Sequence, residues 1–441
     1  MKTKKLTAML AVCAMSAFAF AAAVHAEGEV AQIDDQKYTT LQAAVEAAKT
    51  GDTIEMIDNA TVTANIDIPS GITLTLDMNG NTITTDPVNE ERTFDVYGDM
   101  TVTGSGKITC TSYGVFDVKE GGSLTIENGT YEAAGYRSGS GNGATLRTRP
   151  GSMTNVKGGV EIYNELSAAV YSEGDIELGA CNLISTSHNG REDEYGVKFW
   201  SYCTQILGEG ELNGTTVQGI QGGLYVGGKA TINGGTYTAA DLTDGSYQGS
   251  KAFYGLFVSN GASVIINDGV FTGGDIGGNY CVLNSDNDTG MELGKSIIIC
   301  DGTFNGKVGS LHSDGKRDVY GITAYGGKFT EDPMYFVDSS CVSMQVNDES
   351  EYVVIPVSEK AMDSGTYKTA VGDEDTYDQM SLFNADDISG SVTYKVTTGA
   401  TTKDFTFDYA NVEGITKLGL IVTDIPSAET VTVELGGQNN G

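Results

Sequence analysis

The chain has 441 residues, with 59 Asp and Glu against 26 Lys and Arg and a net charge of −33. So large an acidic excess argues against nucleic acid as a partner, because a phosphate backbone requires clustered Lys and Arg. It also opposes direct docking on anionic lipid or polyuronate unless divalent cations intervene.

Met1-Lys2-Thr3-Lys4-Lys5 is a basic start, the run from Leu6 to Ala23 is apolar, and Val24-His25-Ala26 ends it with small residues. This is the pattern of a secretory signal peptide over residues 1–26, so the expected location is secreted or cell-surface. Val12 before Cys13 is too bulky for a lipidation site. No second long apolar stretch follows, and no transmembrane segment is expected after cleavage. Removing the signal takes away three lysines and no acid, so the mature chain is still more acidic.

Six cysteines survive export: Cys110, Cys181, Cys203, Cys281, Cys300 and Cys341. Their wide spacing, without CxxC pairs, gives no metal signature. Disulfides and buried free thiols are both open.

Glycine, at 59 residues, stands well above its usual share of about 7 %. With only six prolines, this describes short strands joined by tight turns. The segment Thr39 to Ala48 predicts a capping helix, with Leu41, Ala44, Val45 and Ala48 on one face and Gly51 beyond its end. Strands of period two follow at residues 53–57, 65–68 and 72–76.

The chain then repeats itself. Segments beginning Ile126, Ile232, Ile266, Ile299 and Ala324 align without gaps through Tyr131, Tyr237, Phe271, Phe304 and Phe329, each with Gly three residues after its start. A second unit, seen as Tyr113-Gly114-Val115-Phe116 and Tyr254-Gly255-Leu256-Phe257, lies upstream of most of them. Spacings of roughly 20 to 40 residues mark stacked repeats. Equivalent residues of successive turns then lie directly over one another, so an inward column stays apolar while loops vary in length. In the second unit, Val115, Ala144, Val197, Leu224, Leu256, Val282 and Ile322 form the expected inward column. Leu146, Phe199, Val226 and Val258 form another, with Asp117 and Asn284 as exceptions. Between them, Phe116, Thr145, Lys198, Tyr225, Phe257, Leu283 and Thr323 are expected to face outward. That column is more apolar than a solvated face requires, which makes Phe116, Lys198, Tyr225 and Phe257 the candidate ligand-binding residues. The competing possibility is that loops such as Asp241 to Ser250 cover it.

Beyond residue 358 the glycine pattern fades into longer strands at 391–396, 405–408, 418–422 and 431–435, which read as a small β-sandwich-like domain over 358–441. The expected fold is therefore all-β: a right-handed parallel β-helix with an N-terminal capping helix over 27–357, then the C-terminal β-sandwich-like domain.

Leu41-Gln42-Ala43-Ala44-Val45, Gly51-Asp52-Thr53-Ile54, Leu76-Asp77-Met78-Asn79-Gly80-Asn81-Thr82-Ile83 and Gly326-Gly327-Lys328-Phe329 resemble the cap, turns and closing segment of exported bacterial β-helix repeat proteins of the pectin lyase-like superfamily. The resemblance spans about residues 30 to 355. It implies the fold more than the activity, since members include surface proteins without catalytic motifs as well as polysaccharide-cleaving enzymes.

A lyase of this fold would need an Arg or Lys base with Asp or Glu ligands for calcium on neighbouring turns. The expected outward column offers Lys198 and no carboxylate, while Arg147 and Arg149 lack an obvious acidic partner in the sequence. A hydrolase would need paired carboxylates, and the polygalacturonase-like signatures Asn-Thr-Asp, Gly-His-Gly and Arg-Ile-Lys are absent. Asn284, Asp286 and Asp288 put oxygen ligands at alternate positions, as calcium loops do. However, Thr289 replaces the usual Gly and Lys295 the bidentate Glu, so a solvated loop competes with this site. No catalytic residue is assigned. The leading expectation is a non-catalytic, adhesin-like binding protein for an extracellular glycan or a host or cell-envelope protein. The alternatives are a polysaccharide lyase or glycoside hydrolase, and a structural envelope component.

Overall fold

The computed structural model describes residues 28–85, 92–111, 113–134, 143–186, 202–219, 222–239, 254–273, 280–285, 296–310, 321–338, 340–346 and 351–356, and the strands at 365–368, 378–381, 391–398, 401–408, 418–422 and 430–439. Among the described residues the protein is all-β, with one helix, Leu41–Ala47. Thr40 caps that helix by accepting from the Ala43 N–H at 3.1 Å, and Leu41, Ala44 and Val45 are buried.

Strand pairing follows the chain through three stacks visited in turn. One rung runs through Phe116–Val118, Ser123–Ile126 and Thr130–Ala133, and the next through Leu146–Thr148, Met153–Val156 and Glu161–Asn164. Each strand pairs in parallel with its equivalent on the next rung. The first face holds ten strands, from Ile66–Ile68 to Lys307–Ser310. In Lys229–Ala239 and Ser263–Thr272 the second and third faces merge into one long strand. These long parallel sheets are compatible with a β-solenoid.

Alternation sends one residue in two inward, and the register stacks those residues in columns. Ile232, Ile266, Ile299 and Ala324 are paired in succession, as are Tyr237, Phe271, Phe304 and Phe329. The rings of the second column lie face to face, with centroids 4.9, 5.2 and 4.7 Å apart. Where the column carries Tyr, the hydroxyl finds a corner carbonyl: Tyr131 donates to Asn128 at 2.6 Å and Tyr237 to Gly234 at 3.0 Å. The repeated corner glycines adopt positive φ, 108° at Gly129, 101° at Gly235 and 129° at Gly302, a region that side-chain-bearing residues reach with strain. The five-segment alignment is thus the register of the sheet.

The second unit differs from the expected alignment. The Val115 and Phe116 N–H groups both donate to the Thr145 carbonyl, at 2.8 and 3.0 Å. This bulge-like irregularity inserts an extra residue ahead of the strand, and a one-residue shift exchanges the two faces. Phe116 therefore points inward, fully buried and stacked 5.6 Å from Phe94, while Asp117 points outward. Leu146, not Ala144, occupies the equivalent inward position. Thr145 is buried and donates to the Tyr163 carbonyl at 2.7 Å. Ile322 and Thr323 belong to the second face, paired with Ile297 and Ile298. Only across Leu224, Leu256 and Val282 do the expected columns and the register coincide.

Antiparallel strands close one face at each end of the stack. Ala31–Ile33 pairs antiparallel with Gln36–Tyr38 and Thr53–Met56 at the start, and Tyr352–Pro356 pairs antiparallel with Lys328–Phe329 at the end. Leu418–Val422 joins that closure through Cys341–Val346, and a separate four-stranded antiparallel sheet holds the remaining tail strands except Asp378–Ser381. Of the described cysteines, Cys110, Cys181, Cys203, Cys281 and Cys341 are buried and Cys300 is exposed. Burial pushes the Cys181 and Cys203 thiols up to about 12.

Phe304→Ala should lower unfolding stability by about 3–5 kcal/mol through the cavity it leaves. Val270→Ala, on the exposed side of the preceding rung, should cost no more than about 0.5 kcal/mol. Urea titration of both variants measures the contrast.

Candidate functional site

The outward column of the first face reads Asp67, Asp95, Asp117, Arg147, Tyr171, Gln205, Tyr225, Phe257, Leu283 and Gly309 in successive rungs. It grades from acid through cation to aromatic and apolar.

The charged end is a network centred on Asp117, whose side chain is 2 % exposed. Arg149 grips it with two bonds, Nε to Oδ1 at 2.9 Å and Nη2 to Oδ2 at 2.7 Å. Lys119 Nζ bridges Asp117 at 2.7 Å and Asp95 at 2.9 Å, and Arg92 Nε lies 3.8 Å from Asp117. One rung on, Arg147 donates to Glu173 at 2.9 Å and lies over the Tyr171 ring. Burial alone would raise the Asp117 carboxyl, but the Arg149 bonds, the Arg92 charge and Lys119 outweigh it and hold it well below the ordinary carboxylate value. Asp95 is raised, mainly by burial. Arg149 is raised by its bond to Asp117, the opposite of what a general base requires. Arg92 is lowered to about 10 by burial and spends one nitrogen on the Phe116 and Ala144 carbonyls, at 3.1 and 2.9 Å.

The aromatic end gathers five rings. Tyr225 and Phe257 stack with centroids 5.6 Å apart and planes 14° from parallel. Tyr202 leans on both at 5.4 and 5.8 Å, Tyr254 stacks on Phe257 at 5.6 Å, and Tyr280 meets Tyr254 edge-on at 6.5 Å. Lys307 Nζ lies 4.7 Å from the centre of the Tyr280 ring.

Of the expected binding residues, Tyr225 and Phe257 lie together here, Phe116 is in the core, and Lys198 lies outside the described residues. Asn284 is fully buried beside Val258 in the inward column, while Asp286 and Asp288 lie outside the described residues. Loop Asp241 to Ser250 also lies outside them, although Leu283, in the outward column, is fully buried. Arg147 and Arg149 do have acidic partners, Glu173 and Asp117, at sequence separations of 26 and 32.

The second face carries a groove of about 510 Å³ that the repeat pattern does not mark. Asp175, Glu177, Glu209 and Glu211 line it, with exposed Met153 and Ile265 at its margins. The alternating acids of Asp175-Ile176-Glu177-Leu178 and Glu209-Gly210-Glu211-Leu212 are its signal in the sequence. Lys229 pairs with Glu209 at 2.8 Å and Asn155 donates to Glu177 at 2.7 Å.

Comparison with protein-family models, with curated proteins and with solved structures finds no match to the chain. Among the described residues no helix is long and apolar enough to cross a membrane.

Asp117→Asn should cost about 3–5 kcal/mol at neutral pH, because it removes the charge that buried Arg92 and half-buried Arg149 and Lys119 share. The folded Asp117 value lies below its ordinary 3.8, so its stabilisation is complete above that value and disappears as pH falls through the folded one. Asp95, with a raised folded value, acts with the opposite sign: its contribution is present below 3.8 and is lost as pH rises through the folded value. The gap between wild type and Asp117→Asn should therefore narrow below about pH 4, which denaturant unfolding across pH measures.

Proposed function

We propose that this is an exported, non-catalytic binding protein, a right-handed parallel β-helix that presents its first face to an extracellular glycan or protein. The single observation that carries this is the half-buried aromatic cluster around Tyr225 and Phe257, positioned by strands whose inward residues are locked in the core. Aromatic and Arg side chains are the residues that dominate binding surfaces. Handedness belongs to the same reading, since crossovers between parallel strands strongly favour the right-handed path. Export follows from residues 1–26, and the adhesin-like role from that location combined with the presented face.

The lyase or hydrolase alternative is weaker on this geometry. The Asp117 carboxylate is 2 % exposed and already accepts from Arg149 and Lys119, which leaves it poorly placed to meet a substrate. The structural-envelope alternative is weaker because antiparallel strands close the second face at one end of the stack and the third face at the other, where open parallel edges would favour end-to-end growth.

Glycan arrays and extracellular-matrix panels probed with the mature chain test the proposal. Tyr225→Ala and Phe257→Ala should each weaken the binding found by tenfold or more, with the circular dichroism spectrum unchanged. A catalytic product from a polysaccharide, with no binding in either panel, would overturn it.

A further inference from the structure

We propose that Lys119 and Asp95 condense to an intramolecular amide, a covalent brace between adjacent rungs of the first face, with Asp117 orienting the amine and relaying its proton.

Asp95 and Asp117 stand on neighbouring rungs, directly paired in register. Lys119 follows the second of these strands, and its N–H donates to the Val96 carbonyl at 2.9 Å, which fixes its backbone beside Asp95. Its Nζ lies 2.9 Å from Asp95 Oδ2 and 2.7 Å from Asp117 Oδ2. The Asp95 Cγ is one bond beyond that contact, close to the separation at which a held nucleophile reacts as if at very high concentration. The Lys119 and Asp95 side chains are 21 % and 19 % exposed and Asp117 is 2 % exposed, which shields the reacting atoms from most water.

The two carboxyls differ in what they can do. Arg149 grips both oxygens of Asp117 and Arg92 approaches it, so it stays a carboxylate, a form that resists attack by an amine. Asp95 is paired with Lys119 and its value is raised by burial, which favours the acid, the form open to attack. The other lysine–carboxylate pairs among the described residues are Lys37 with Glu29, Lys107 with Glu132 and Lys229 with Glu209. Each joins one lysine to one acid, and those lysines are at least 42 % exposed. They lack both the second carboxylate and the shielding.

The step balances without an oxidant or reductant. A proton passes from the Lys119 ammonium to Asp95, and the amine lone pair then forms the Nζ–Cγ bond. Asp117 accepts a proton from the nitrogen and returns it to the departing oxygen, and the Cγ–O bond breaks to release one water molecule. Once bonded, neither Asp95 nor Lys119 titrates, and the acid response of the network passes to Asp117.

Intact-mass spectrometry of the folded mature chain tests this. The mass should fall short of the sequence mass by one water, and fragmentation of a digest should recover the peptides that contain Asp95 and Lys119 joined together. Asp268-Gly269 and Asp301-Gly302 can also lose water by cyclising, so fragmentation must locate the loss. Lys119→Arg keeps the cation but has no amine to acylate, and Asp95→Ala removes the carboxyl; both chains should have their full mass. Asp117→Asn should lower the joined fraction severalfold in the material that folds. Peptides containing Lys107 and Lys229 should be unjoined. A wild-type chain of full mass, a water lost at another site, or a Lys119→Arg chain that still lacks the water would each overturn the proposal.

Discussion

Register is the constraint on which the structure depends. When parallel strands stack rung on rung, each inward side chain must fit the one from the rung before it, and a shift by one residue would turn an apolar column into water. The protein meets this with repetition inside and variation outside. Face-to-face rings from Tyr237 to Phe329 and aliphatic side chains from Ile232 to Ile299 fill the interior. Outward positions on the same strands are free to differ, and the first face uses that freedom to pass from Asp to Arg to Tyr to Phe over a few rungs.

The part of this that was readable in advance is the part where chemistry leaves no choice. The corner glycine and the apolar residue before it recur because only glycine takes the corner conformation easily and only an apolar residue fits the column. Ile266, Asp268 and Gly269 could therefore be aligned with Ile299, Asp301 and Gly302 by eye. The first face was harder because its glycines play different roles. Gly223 directly precedes the inward Leu224, whereas one residue, Val115, separates Gly114 from the inward Phe116, and that extra residue is taken up by a shared hydrogen bond. Alignment on glycine therefore placed Tyr225 and Phe257 correctly and reversed Phe116 and Asp117. Sequence could not reveal that Arg149 would find Asp117, because rung stacking rather than chain proximity brings them together.

The ion network sits where the column is most crowded with like charge. Asp67, Asp95 and Asp117 follow one another at strand spacing, and like charges directly opposite on paired strands are destabilising. Lys119 answers this by bridging two of the carboxylates, and Arg149 and Arg92 by approaching Asp117. The aromatic end has no such repulsion to relieve, and its side chains pack on one another instead.

The connections from the third face back to the first have very different lengths. Gly219 to Gly222 is almost immediate, whereas Ala133 to Leu146, Ser185 to Thr204 and Ala239 to Tyr254 span many residues. The parallel pairing on either side keeps its register regardless. Because the entropic cost of closing a loop rises only logarithmically with its length, this corner can accept new sequence at little thermodynamic penalty. It is the natural place for related chains to diverge, or for a foreign peptide to be grafted, without disturbing the rungs.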